Sequence, residues 1–196
     1  MNKSVDVTEK FFSQFWYDSD KGMIISNTIK GRYVVTPHRF LHIVTDEYKK
    51  VAGKGATAIL YAMGFETGVK IGGAITHQFK IRDIKKYDKA ISSFSGPIHG
   101  AVNFFLDYFK WATLLSLDIN LEKMEIIIKL SDHVFSRYQE GQEESYCDWI
   151  RGWIAGLFTV LIEEDMSCLE RKCKTLGASC CEFRVGRKEE MLLGQD

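Results

Sequence analysis

All five cysteines of this 196-residue chain lie between positions 147 and 181, at Cys147, Cys168, Cys173, Cys180 and Cys181. The first 146 residues contain none. A disulfide framework spreads its bridges over the fold it staples, so thiols confined to one corner indicate a local site instead. Thiolate sulfur is a strong, soft ligand. Three cysteines and one carboxylate supply the four donors of a closed tetrahedral zinc site. Cys147, Glu170, Cys173 and Cys181 are the candidates for that set.

Local patterning tests whether those four can meet. Met166–Lys172 and Cys180–Val185 read as strands around a turn at Lys174–Ser179 that contains Gly177, so a hairpin would bring Cys173 and Cys181 together. Ser145-Tyr146-Cys147-Asp148 has the form of a capping box, with Asp148 in place of the usual glutamate, and opens a helix to about Leu161. Cys147 then lies in the first turn, where the helix dipole favours a thiolate. Glu170 precedes Cys173 by three residues. On a regular strand that offset puts the two side chains on opposite faces, so a shared ion requires a bulge or a strand end. There is no C-x-x-C pair, and taken bare the spacing fits buried free cysteines packed as small hydrophobes equally well. Cys180 and Cys181 point to opposite faces of a strand, so only one of them binds. Cys168 reads as core or pocket lining.

Composition excludes several classes. Hydrophobic residues make up 45% and charged residues 27%, the balance of an ordinary globular domain. The formal net charge of +0 leaves no global basic field for nucleic acid or anionic lipid. No apolar run of about eighteen residues occurs, so no membrane span is expected. An odd number of cysteines without an apolar N-terminal leader points to a reducing, cytoplasmic setting.

Along the chain, residues 1–20 read as a leader of helical character carrying Phe11, Phe12, Phe15, Trp16 and Tyr17, which docks either on its own domain or on a neighbouring subunit. Residues 21–186 form the domain, and 187–196 a charged, frayed tail. Gly22–Ser26 and Arg32–Thr36 read as strands. Thr36-Pro37-His38 opens a helix. Ala56–Thr76 is a second helix with Gly64, Gly68 and Gly72 on one face, a spacing that admits close packing by another element or by a flat ligand. Ile98–Leu115 reads as a third, aromatic-rich helix, and Leu117–Leu130 as a strand or hairpin. Strands at both ends with helices between imply an α/β mixed sandwich. His99 and His133 are isolated and read as surface or capping residues. His38 and His42, one turn apart, read as a solvated face or a metal clamp.

The motifs Cys147-Asp-Trp-Ile-Arg-Gly152-Trp-Ile-Ala-Gly156, Glu170-Arg-Lys-Cys173 and Gly177-Ala-Ser-Cys-Cys181-Glu-Phe183 resemble the 4-vinyl reductase domain family. The opening strand pair, the helix after Thr36-Pro37 and the Gly64/Gly68 helix are similar to that family as well. The resemblance implies the nitric-oxide-signalling and Golgi-transport ligand-binding fold, an antiparallel sheet packed against helices, usually as a homodimer. It implies zinc held by Cys147, Glu170, Cys173 and Cys181, with a bulge at Glu170. Where phenol sensors of the family place a pocket tyrosine, this chain has Cys168, so phenol itself is not the expected ligand.

The expected pocket is lined by Phe104, Tyr108, Trp111, Trp149, Trp153 and Cys168, each of which reads equally as core. The expected function is a sensor or binding module for a small hydrophobic, aromatic or tetrapyrrole-like molecule. It would act through an unidentified protein partner or by delivering its ligand, without direct nucleic-acid binding. The first rival is an accessory or catalytic part in tetrapyrrole vinyl-group reduction, and the second is a tethering scaffold without a small ligand. A bound redox cofactor or a three-ligand metal with an exchangeable water would mark the first rival. A solid interior would mark the second.

Overall fold

The computed structural model describes residues 15–18, 23–26, 31–33, 38–79, 98–100, 102–103, 106, 111–120, 122–136 and 141–193. The chain divides into two compact units, Met1–Phe40 and Leu41–Asp196. In the first, β1 (Phe15–Asp18), β2 (Met23–Ser26) and β3 (Gly31–Tyr33) form an antiparallel sheet in sequence order. The expected strand pair is present, with Ile24 opposite Tyr33 and Ile25 opposite Arg32. The leader differs from expectation at Phe15–Asp18: it is a strand paired with β2, because an open edge of backbone donors and acceptors lay beside it. Phe11 and Phe12 lie outside the described residues, as do Thr36 and Pro37.

Helix α1 spans His38–Ala52 and α2 Gly55–Phe79. Gly53, at φ +51°, makes the break between them at a dihedral that side chains other than glycine seldom adopt. Strands β4 (Thr113–Asn120), β5 (Glu125–Ser131), β6 (Met166–Lys172) and β7 (Cys181–Arg187) form a second antiparallel sheet in the order β4-β5-β7-β6. Helix α3 (Asp148–Ile162) enters between β5 and β6 in sequence, and α4 (Lys188–Leu193) ends the described chain.

The sheet is antiparallel and helices pack with it, as the sandwich reading requires. Two boundaries differ. The aromatic-rich helix ends before Thr113, and Thr113–Leu115 belong to β4, paired with Leu130 and Ser131 of β5. β4 is an edge strand with weak burial alternation and a bulge between Leu114 and Ser116, so its sequence lacks a clean two-residue period. The expected frayed tail is helical over Lys188–Leu193: Met191 is buried, its sulfur lying where a Cβ on Gly186 would be 3.0 Å away.

One face of the second sheet builds the core. Strict alternation on β5 turns Ile126, Ile128 and Leu130 inward. The register sets them beside Val185, Phe183 and Cys181 of β7, and β6 adds Cys168 beside Val185 and Glu170 beside Phe183. The inner face therefore runs from aliphatic residues at one end to Cys181 and Glu170 at the other. Ile150, Ile154, Leu157, Phe158 and Leu161 of α3 join the same core. Burying each such side chain contributes roughly 1.5–3 kcal/mol.

Helices α2 and α3 touch backbone to backbone. A Cβ on Gly64 would lie 2.0 Å from the Trp149 carbonyl oxygen, and one on Gly68 2.2 Å from that of Trp153. Reciprocally, Cβ atoms on Gly152 and Gly156 would lie 2.0 and 2.1 Å from the carbonyl oxygens of Tyr61 and Phe65. The four-residue glycine spacing thus serves helix packing, the first of the two uses its sequence allowed. No described helix is long and apolar enough to cross a membrane.

Candidate metal centre

Four elements deliver the four candidate donors. Cys147 caps the N-terminus of α3. Cys181 opens β7, directly opposite Leu130. On β6 the register slips between Glu170 and Lys172, a bulge at Arg171, and the strand stops at Lys172. Cys173 then stands in extended conformation before a 3-10 turn at Lys174–Leu176. Both devices needed to turn Glu170 and Cys173 toward one point, the bulge and the strand end, are present. Gly177, at φ +96°, completes the turn, its N–H donating to the Lys174 carbonyl at 3.0 Å.

One ligand atom from each of Cys147, Glu170, Cys173 and Cys181 falls within 4.8 Å of all the others. The Cys147 sulfur is 3.5 Å from that of Cys173 and 3.7 Å from that of Cys181. Sulfurs bound to one zinc at about 2.3 Å in tetrahedral geometry are roughly 3.8 Å apart. All three thiols are buried. Glu170 Oε2 accepts a hydrogen bond from Ser145 Oγ at 2.5 Å, while its Oε1 is buried with no hydrogen-bond partner. A buried carboxylate oxygen without a donor, on a side chain grouped with three thiols, is what a cation would satisfy. The donor set fits a divalent metal, and zinc suits its sulfur-rich chemistry.

The electrostatics agree. Burial pushes the Glu170 carboxyl up to about 7 and the Cys147 thiol well above its ordinary value. At Cys147 burial works against the helix end, which favours a thiolate. Hydrogen bonds from Cys147 and then Cys181 hold Cys173 far below the usual thiol range, aided by Thr175, whose Oγ1 is 2.9 Å from the Cys173 sulfur. The Cys147 contact draws Cys181 downward, but its contact with Cys173 and its burial prevail and raise it.

Ser145 does not cap the helix as expected. It sits two residues before the Cys147 cap, accepts the Cys147 N–H at 3.0 Å and donates to Glu170. The structure also brings in a residue that the sequence reading assigns to the surface. His133 is fully buried, and burial holds its imidazole down to about 4, so the ring is neutral. His42 is buried as well, not on a solvated face, and burial lowers it. The His38 side chain lies outside the described set, and His99 is exposed.

Of the expected pocket residues, Trp111, Trp149 and Trp153 come together. The Trp111 ring is 5.0 Å from Trp149 and 5.9 Å from Trp153, both edge-on. Phe135, absent from the expected set, stacks on Trp149 at 5.4 Å. Cys168 is buried on the inner sheet face. Phe104 and Tyr108 lie outside the described residues. An open cleft of about 500 Å³ borders the centre through Ser145 and Asp148, and its other walls include Lys49, Lys54 and Glu144.

Residues 126–187 match the family model of the 4-vinyl reductase domain. Among solved structures, the chain is similar to the phenol-responsive sensory domain of the transcription activator PoxR with phenol. Identity is 14%, coverage 100% of this chain and 99% of that one, and the TM-score 0.70. It is also similar to trafficking protein particle complex subunit 3 from Naegleria fowleri covalently bound to palmitic acid, at 15% identity, 78% and 97% coverage and a TM-score of 0.53. A vinyl-4-reductase family protein from Methanocaldococcus jannaschii matches at 20% identity, 94% and 97% coverage and a TM-score of 0.49. No curated protein matches by sequence. The matched segment begins on β5 and ends with β7, takes in Cys147, Glu170, Cys173 and Cys181, and is the stretch whose cysteine and glycine motifs resemble the 4-vinyl reductase domain family.

Proposed function

We propose that the chain is a sensor or binding domain for a small hydrophobic molecule, with a structural zinc site that fixes the β6–β7 hairpin to the start of α3. The convergence of Cys147, Glu170, Cys173 and Cys181 beside an aromatic cluster carries this reading. Zinc bound there would supply a cross-link between three chain segments, with four protein donors and no open coordination position. That closed set favours a structural role over the enzymatic alternative, a part in tetrapyrrole vinyl-group reduction.

Two proteins of similar fold support a hydrophobic ligand: the PoxR domain is described with phenol, the trafficking subunit with palmitic acid. In this chain the Trp111, Trp149 and Trp153 cluster is the proposed wall of the ligand site. Its contact with Phe135 offers a route to the centre, because Phe135 also bonds to His133. A ligand that separates these rings would shift the population between two hairpin arrangements, and a partner protein would respond to the shift. The trafficking subunit's fold keeps a tethering scaffold as the second alternative.

A homodimer is part of the proposal. Ile43, Tyr48 and Val51 on α1 are exposed, Val51 at 86%, and so are Ile59 and Met63 on α2. An apolar run on neighbouring helices suits burial against a second copy. We place the protein in the cytoplasm, where thiols stay reduced.

Native mass spectrometry of the freshly purified chain tests the proposal as a whole. The expected result is a dimer carrying one zinc per chain and a small organic adduct. A metal-free monomer that takes up no hydrophobic compound would contradict it.

A further inference from the structure

The His133 imidazole sits against two of the three sulfurs. Its Nε2 is 3.1 Å from the Cys181 sulfur and 3.3 Å from that of Cys147. On the far side of the ring, the Phe135 backbone N–H donates to Nδ1 at 3.2 Å. A nitrogen that accepts a hydrogen bond carries no proton, so with Nδ1 accepting from Phe135 the ring's N–H is on Nε2. That proton points at the gap between the Cys181 and Cys147 sulfurs. The Nε2 lone pair is committed to it, which makes His133 a donor to the thiols rather than a fifth ligand. The turn is fastened as well, since both Ser136 N–H and Ser136 Oγ donate to the His133 carbonyl.

We infer that His133 is a positioning residue of the metal centre, its Nε2–H shared between the Cys147 and Cys181 sulfurs. This rests on the metal-centre reading. The two sulfurs belong to different elements, the α3 cap and the start of β7, and a shared proton holds them at a common spacing before any ion arrives. Three thiolates and a carboxylate carry four negative charges around a divalent ion, two more than the ion neutralises, in a buried place. Hydrogen bonds to the sulfurs disperse that excess. The Lys174 N–H on Cys181, at 3.2 Å, and the Thr175 hydroxyl on Cys173 act in the same sense. His133 extends this to Cys147.

The test uses the full chain loaded with Co²⁺ and competed with Zn²⁺, as wild type, His133→Phe and His133→Gln. The phenylalanine variant fills the ring's space without the donor, and the glutamine variant restores an N–H near the same place. His133→Phe is expected to lose roughly 10- to 100-fold in metal affinity. Its sulfur-to-cobalt charge-transfer band should move to lower energy, because an unbonded thiolate gives up its electron more easily. His133→Gln should recover most of both. A phenylalanine variant with wild-type affinity and an unmoved band overturns the inference. Should that variant fail to fold, ¹⁵N spectra of the ¹¹³Cd-loaded wild type decide. A slowly exchanging Nε2–H coupled to cadmium supports the inference, and an Nδ1–H tautomer overturns it. A wild type that takes up neither ion overturns the metal-centre reading and this inference together. A metal-replete phenylalanine variant with unchanged affinity overturns the role of His133 alone.

Discussion

The glycine seam between α2 and α3 and the thiol corner at the N-terminus of α3 are both places where small sequence signals converge, yet they stand differently in energy. The seam is complete in itself: Gly64, Gly68, Gly152 and Gly156 remove every Cβ that would separate the helices, and apolar burial does the rest. The corner is not complete. It gathers three thiols and a carboxylate, leaves Glu170 Oε1 without a donor and pushes the Glu170 and Cys147 protons to stay on. Packing alone accounts for the seam, whereas the corner gathers donors that a cation could take.

The largest expected effect separates the two regions by metal removal. Chelation, or Cys173→Ser, should strip the ion and expose the hairpin Met166–Arg187 to hydrogen exchange, while α2 and the middle of α3 keep their protection. Equal loss of protection everywhere would break the distinction. Next, Gly68→Ala drives a methyl into the Trp153 carbonyl and should cost about 3 kcal/mol of unfolding free energy in denaturant titration. Metal content per folded chain should not change, and a variant as stable as the wild type would show that the helices can part cheaply.

The pH dependence of metal uptake sharpens the account of the corner. Metal requires every donor deprotonated. In the metal-free chain Cys147 and Cys181 hold their protons through the neutral range, Cys173 does not, and Glu170 holds its own up to about 7. Binding therefore releases about three protons below pH 7 and about two above it, so log affinity should rise with pH at those slopes. A slope near one below pH 7 that falls to zero above it would mean that the thiols are already ionised. The smallest effect belongs to the surface: Arg184→Ala removes an ion pair to Glu125 of 2.7 Å between partly exposed groups, and should cost roughly 0.5 kcal/mol or less.

The sequence is most legible where a short period and a local turn coincide. It predicts β6 at Met166–Lys172, and the strand lies there, since its ends are marked by Asp165 and by the Cys173–Gly177 turn. The need for a bulge between Glu170 and Cys173 follows from strand parity alone. Parity also explains the main omission. Ile126, Ile128 and Leu130 face inward, and continuing that alternation makes Asp132 the next inward residue and sends His133 out. Asp132 instead takes a left-handed conformation at φ +51°, which resets the alternation and turns His133 into the core. Aspartate is one of the few side chains that tolerate that region, so an Asp-His step directly after a strand is the available signal. The end of the aromatic helix is hidden for a different reason: β4 is specified by its pairing with β5 rather than by its own residues.

The central claim concerns the corner, and metal analysis of the purified full chain after reconstitution and desalting tests it most directly. About one zinc per chain in the wild type, with almost none in Cys173→Ser, is the predicted result. A folded wild type that retains no zinc, even when reduced and supplied with the ion in excess, would contradict it.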